Sequence, residues 1–144
     1  MRAAAILALA LLVCACGSFS PQPIRAGDVC ETCKKQITDV KFAGEVITKQ
    51  GLVLKFRTPE CLAAYTRLNA DSVGSKYVTD YQTSRMIRPE SATYVRTVLD
   101  PNTREMTYAA FLQVGDAAKF AKVQMSSPVD WLAIQRMSAD KKSN

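Results

Sequence analysis

The chain has 144 residues, 48% of them apolar and 22% charged, with a formal charge of +6 and no histidine. That length suits one domain or two very small ones, and the composition excludes wholesale disorder. The lack of histidine removes the usual nucleophile–base pairs of enzymes, and no segment carries the clustered Lys/Arg with interleaved aromatics of a nucleic-acid surface.

Residues 1–16 read "MRAAAILALALLVCAC", a positive start at Arg2 followed by an apolar run from Ala3 to Val13. A run of about a dozen residues is too short to cross a bilayer and fits the core of a signal peptide. Val13 and Ala15 precede Cys16, and Gly17 follows it. This resembles a bacterial lipobox, which implies removal of residues 1–15, lipidation of Cys16 and a stable membrane anchor. Gly17 rather than Asp at the following position points to the outer membrane, with the domain facing the periplasm. Residues 16–27, with Pro21 and Pro23, read as a flexible tether. Loss of Arg2 takes the 19 basic residues to 18 against 13 acidic ones, a formal +5. With Cys14 removed and Cys16 acylated, the free thiols are Cys30, Cys33 and Cys61, an odd set for an oxidising compartment.

From Lys41 the pattern is that of strands. "KFAGEVITKQG" and "LVLKFRT" alternate around a turn at Gln50-Gly51. Thr58 is a natural helix cap, Pro59 suits the first helical position, and "PECLAAYTRLNA" continues as a helix. After a loop at Gly74, "KYVTDYQTS" reads as a strand. The order then recurs: "SATYVRTVLD", a turn at Pro101-Asn102, "MTYAAFLQV", the helix "GDAAKFAKVQM", and "VDWLAIQR" closing the unit. An offset of 55 residues lays Phe56 over Phe111, Cys61 over Asp116 and Tyr65 over Phe120. The expected fold is α+β and rich in antiparallel strands. It comprises two small ββαβ units, residues 28–84 and 85–137, packed together because neither has a sufficient core alone, with 138–144 as a solvated tail.

The cysteines admit several chemistries. A thioredoxin-like redox motif needs a strand before its CxxC, and only the tether precedes Cys30. Structural zinc needs four ligands, and three thiols without histidine do not supply them. Monovalent copper accepts two or three soft donors, which Cys30, Cys33, Cys61 and one of Met86, Met106 or Met125 would provide. Lys34 and Lys35 beside the pair would favour thiolates. A structural disulfide, Cys30–Cys33 or Cys33–Cys61, in an interaction or scaffold lipoprotein is the alternative. A lyase-like convergence of Cys33 and Cys61 with Asp39 or Asp116 has no spacing to support it, and no enzymatic activity is expected.

Several segments together resemble the NosL family, copper-chaperone lipoproteins of nitrous oxide reductase assembly. They are the lipobox at Cys16, "CETCKKQITDVKFAGEV", "KFRTPECLAAY", "KYVTDY" and "REMTYAAFLQVGDAAKFA". The resemblance implies a duplicated ββαβ fold like that of organomercurial lyase, Cys33 and Met106 as Cu(I) ligands with Cys30 as the CxxC partner, and Cys61 as a possible further sulfur. It implies a periplasmic cuproenzyme, such as nitrous oxide reductase, or a copper transporter as partner. The chain departs from the family in carrying Lys34-Lys35 in place of Gly-Met after the CxxC, and Glu105 in place of a proline before Met106. Asp80 and Tyr81 are read as structural.

Overall fold

Local chemistry sets the first hairpin. Gly51 sits at φ +85°, a conformation that glycine adopts without a steric cost, and reverses the chain between β1 (Gly44–Thr48) and β2 (Val53–Phe56). The computed structural model describes residues 20–140; residues 1–19, which include the expected signal peptide and Cys16, and residues 141–144 lie outside them. Helix α1 (Pro59–Leu68) starts where the sequence indicates. The Thr58 side chain accepts the Cys61 N–H, Pro59 opens the first turn, and Glu60 favours its positive end. Strand β3 (Val73–Thr79) pairs with the other edge of β1, and a short β4 (Met86–Ile87) completes the order β2-β1-β3-β4, all antiparallel.

Gly74 lies within β3 rather than in a loop. A Cβ there would meet the Ile47 carbonyl oxygen at 2.9 Å, where the β1–β3 register slips, so only glycine fits. The strand ends at Thr79, and Asp80–Ser84 turn back instead of extending it.

The second half begins with the hairpin β5 (Thr93–Asp100) and β6 (Glu105–Phe111), followed by α2 (Val114–Gln124) and α3 (Trp131–Asp140). Its closing segment departs from the strand that a ββαβ repeat requires. Val129 alone pairs with Tyr94, and the chain then becomes helical. Trp131, Ile134 and Ser138 are buried at helical spacing while the residues between them are more exposed, a 3.6-residue period rather than alternation. Residues 138–140, expected in the tail, extend this helix, and the Ser138 hydroxyl donates to the Glu60 carbonyl on α1.

The duplication is otherwise plain. Strand order β6-β5-Val129 repeats β2-β1-β3. Phe56 packs on Tyr65 with ring centroids 5.2 Å apart, and their counterparts Phe111 and Phe120 pack at 5.1 Å. One parallel bridge, Asp80 to Ala110, joins the sheets. The larger core is shared: Phe56, Leu62 and Val78 of the first half pack with Tyr94, Trp131 and Ile134 of the second. The stretch read as a tether is fastened from Gln22 onward. The Lys55 ammonium donates to the Pro23 carbonyl and Asp28, and the Gln22 N–H donates to Glu45. This strap covers the face carrying Glu45 and Lys55, so all of β1 is buried, and burial raises the pKa of Glu45.

Candidate metal centre

The CxxC forms a tight loop between the paired residues Val29 and Gln36. The Lys34 N–H donates to the Cys30 carbonyl at 3.0 Å, with Lys34 held at φ +58°. The Glu31 N–H donates to Lys55 on β2, and the Thr32 hydroxyl donates to the Cys61 carbonyl at 2.9 Å, which fastens the loop beside the first turn of α1. The sulfurs of Cys30, Cys33 and Cys61 consequently lie within 4.8 Å of one another, and all three are free thiols. Cys30 is fully buried in the shared core, Cys61 is half-buried and Cys33 is exposed.

Burial of a thiolate is costly unless donors face it. The Cys61 thiol donates to Cys30, and the main-chain N–H groups of Cys33 and Arg57 also point at the Cys30 sulfur; together they hold its pKa down to about 5. The proton that Cys61 shares with Cys30, and its own burial, push Cys61 strongly upward. Of the two lysines expected to favour the thiolate, Lys34 pairs with Glu31 at 3.0 Å, while Lys35 lines the cavity beside Cys33 and Cys61.

That cavity, of about 260 Å³, is lined by Cys33 and Cys61 together with Met106, Lys35, Arg57 and Glu105. Met106, near the start of β6, is 39% exposed at its side. The other methionines lie elsewhere. Met86 accepts from the Thr79 hydroxyl, Met137 accepts from the Tyr108 hydroxyl, and Met125 is exposed at the end of α2. Asp39 caps a short turn and Asp116 opens α2, so neither carboxylate joins the thiols among the described residues. Asp80 and Tyr81 are structural: the carboxylate accepts the Leu112 N–H, and the ring packs against Phe42, Phe111 and Phe120.

Sequence reading missed the ion pair at this cavity. Arg57 and Glu105 meet in a bidentate pair of 2.6 and 2.9 Å, tying the end of β2 to the residue before Met106. The contact lowers the Glu105 pKa and raises that of Arg57. Arg57 beside Thr58 and Glu105 beside Met106 are visible in the sequence, but nothing local pairs them.

No protein-family profile and no curated protein matches the chain. The crystal structure of the copper chaperone NosL from Shewanella denitrificans is similar, with a TM-score of 0.64 and 22% sequence identity over 78% of this chain and 92% of that one. At that identity the likeness is one of fold, and the chain has the NosL fold.

Proposed function

We propose that this chain is a divergent NosL-type protein that carries Cu(I) as cargo and hands it to a cuproenzyme or copper transporter. The observation that carries the reading is the convergence of three thiol sulfurs within 4.8 Å beside a cavity that also holds Met106. Soft thiolate and thioether donors select a soft monovalent ion that is content with two or three ligands, whereas structural zinc demands four. Two or three donors are drawn from the thiolates of Cys30, Cys33 and Cys61 and the thioether of Met106. Glu60 and Glu105, which also line the cavity, are bonded to Thr107 and Arg57 respectively. The similarity in fold to a copper chaperone supports the same reading.

Transfer follows from incomplete enclosure. With Cys33 and Met106 both exposed, a donor from the acceptor can approach the ion and replace one ligand at a time. The net positive charge would favour an acidic acceptor face. The lipobox-like ending at Cys16 supports attachment to the outer membrane with the domain facing the periplasm, where nitrous oxide reductase is one such acceptor. The role requires no catalytic group.

The test is anaerobic Cu(I) titration of the reduced protein against a chromophoric chelator. Wild type should take up one equivalent tightly. Met106→Ala should weaken binding by roughly tenfold, the scale on which metal-site supports act. Undiminished binding by the Cys30→Ser/Cys33→Ser double variant would remove the proposal.

A further inference from the structure

The two halves build the same loop twice. In the first, the Cys30 N–H donates to Lys35 O at 2.9 Å, and the Lys34 N–H donates to Cys30 O at 3.0 Å with Lys34 at φ +58°. The Glu31 N–H also reaches Lys55 O on β2 at 2.8 Å. In the second, the Asp80 N–H donates to Arg85 O at 2.7 Å, and the Ser84 N–H donates to Asp80 O at 2.8 Å with Ser84 at φ +60°. There the Tyr81 N–H reaches Ala110 O on β6 at 2.7 Å.

The backbone repeats while the side chains differ, and the head of the loop is a cysteine in one half and an aspartate in the other. The donors aimed at it are the same. The Asp80 carboxylate accepts the N–H of Thr83 at 3.1 Å and of Leu112 at 2.9 Å. The Cys30 sulfur accepts the N–H of Cys33 and of Arg57, which occupy the matching places on the loop and beyond the strand. Convergent main-chain N–H groups make an anion nest. In the second half the chain's own carboxylate fills that nest, and the Thr83 hydroxyl closes it. The loop therefore belongs to the duplicated backbone, with Asp80 seated in it in one half and Cys30 in the same place in the other.

We infer that the nest divides labour within the CxxC: Cys30 is the donor that keeps the ion throughout, and Cys33 is the donor displaced when the ion is handed over. This rests on the copper-carrying function proposed above. Cys30 is 0% exposed and fixed by two main-chain donors, so it cannot swing away without opening the core. Cys33 is exposed, lines the cavity with Met106 and Lys35, and matches Thr83 in the other half. In the transfer step a lone pair on the acceptor's sulfur or nitrogen bonds to Cu(I) as the bond from copper to the Cys33 sulfur breaks. The bonding pair leaves with the Cys33 thiolate, which takes a proton from water, and copper stays monovalent.

The experiment mixes copper-loaded full-chain protein with bicinchoninate under anaerobic conditions, applies short alkylation pulses during transfer, and maps the labels by peptide and native mass spectrometry. Cys33 should be labelled first, on molecules that still carry copper. In Cys33→Ser, copper should still bind and leave about tenfold faster, as an altered off-rate. Labelling of Cys30 first, strictly simultaneous labelling, or an unchanged off-rate in Cys33→Ser would each overturn the division while leaving copper carriage intact. A wild type that takes up no Cu(I) overturns both. Writing the second-half pair into the first loop, Cys30→Asp with Cys33→Thr, should give a cooperatively folded protein without copper; an unfolded product would refute the nest.

Discussion

The thiols at residues 30 and 61 share one proton, and that sharing sets how the site meets copper. Cys61 donates to Cys30, and with the main-chain donors holds the Cys30 pKa to about 5. An ordinary thiol titrates near ~8.5. The contact thus favours the thiolate at Cys30 and pushes Cys61 upward, toward keeping its proton. Because Cys30 is depressed on folding, its contribution to stability is complete above the ordinary thiol value and is lost as pH falls through about 5. Ultraviolet titration of the reduced apoprotein should show one thiolate appearing near pH 5. Cys61→Ser should move that midpoint upward, because the serine hydroxyl is the poorer donor, and Cys30→Ser should abolish it. Copper must then displace the proton of Cys61, so uptake should release protons and tighten as pH rises.

At the scale of elements, the site depends on two strands that belong to different halves. Arg57 follows β2, Glu105 begins β6, and their bidentate pair holds Met106 at the cavity beside the thiols. Arg57 is nearly buried and Glu105 about one-third exposed, with side-chain exposures of 8% and 34%. Removing the carboxylate leaves a buried guanidinium short of a partner, and partial solvent screening puts the cost at about 1 kcal/mol. Glu105→Gln should therefore lower stability at neutral pH by that amount and weaken copper binding through Met106. The pH sign follows from the lowered pKa of Glu105. The pair contributes fully above the ordinary glutamate value near ~4.3 and its contribution is lost as pH falls through the lower folded value. Denaturant melts at neutral and strongly acid pH should show the wild-type advantage only at neutral pH.

At the scale of the molecule, the duplicated halves fold as one body because the larger core is common to both. Tyr94, Trp131 and Ile134 cover the same cluster as Phe56, Leu62 and Val78, and α3 reaches back to α1 through the bond from Ser138 to Glu60. The intact protein should melt in a single transition. A fragment of residues 20–88, which lacks that cover, should show no cooperative transition and no near-ultraviolet dichroism; a folded fragment would mean that the halves are independent. The sequence by itself determined what short-range chemistry controls. The turn at Gln50-Gly51, the Thr58-Pro59 start of α1 and the matched aromatics Phe56/Tyr65 and Phe111/Phe120 each follow from local dihedral preference or periodicity. It also marked the sulfur residues as candidates. Only the tertiary structure decided that Cys61 closes on the CxxC loop, that Met106 rather than Met86 or Met125 shares its cavity, that Arg57 finds Glu105, and that the chain after Val129 becomes a helix. These outcomes depend on how sheet register and shared burial bring distant residues together, and a one-residue slip in a strand would turn each side chain to the opposite face.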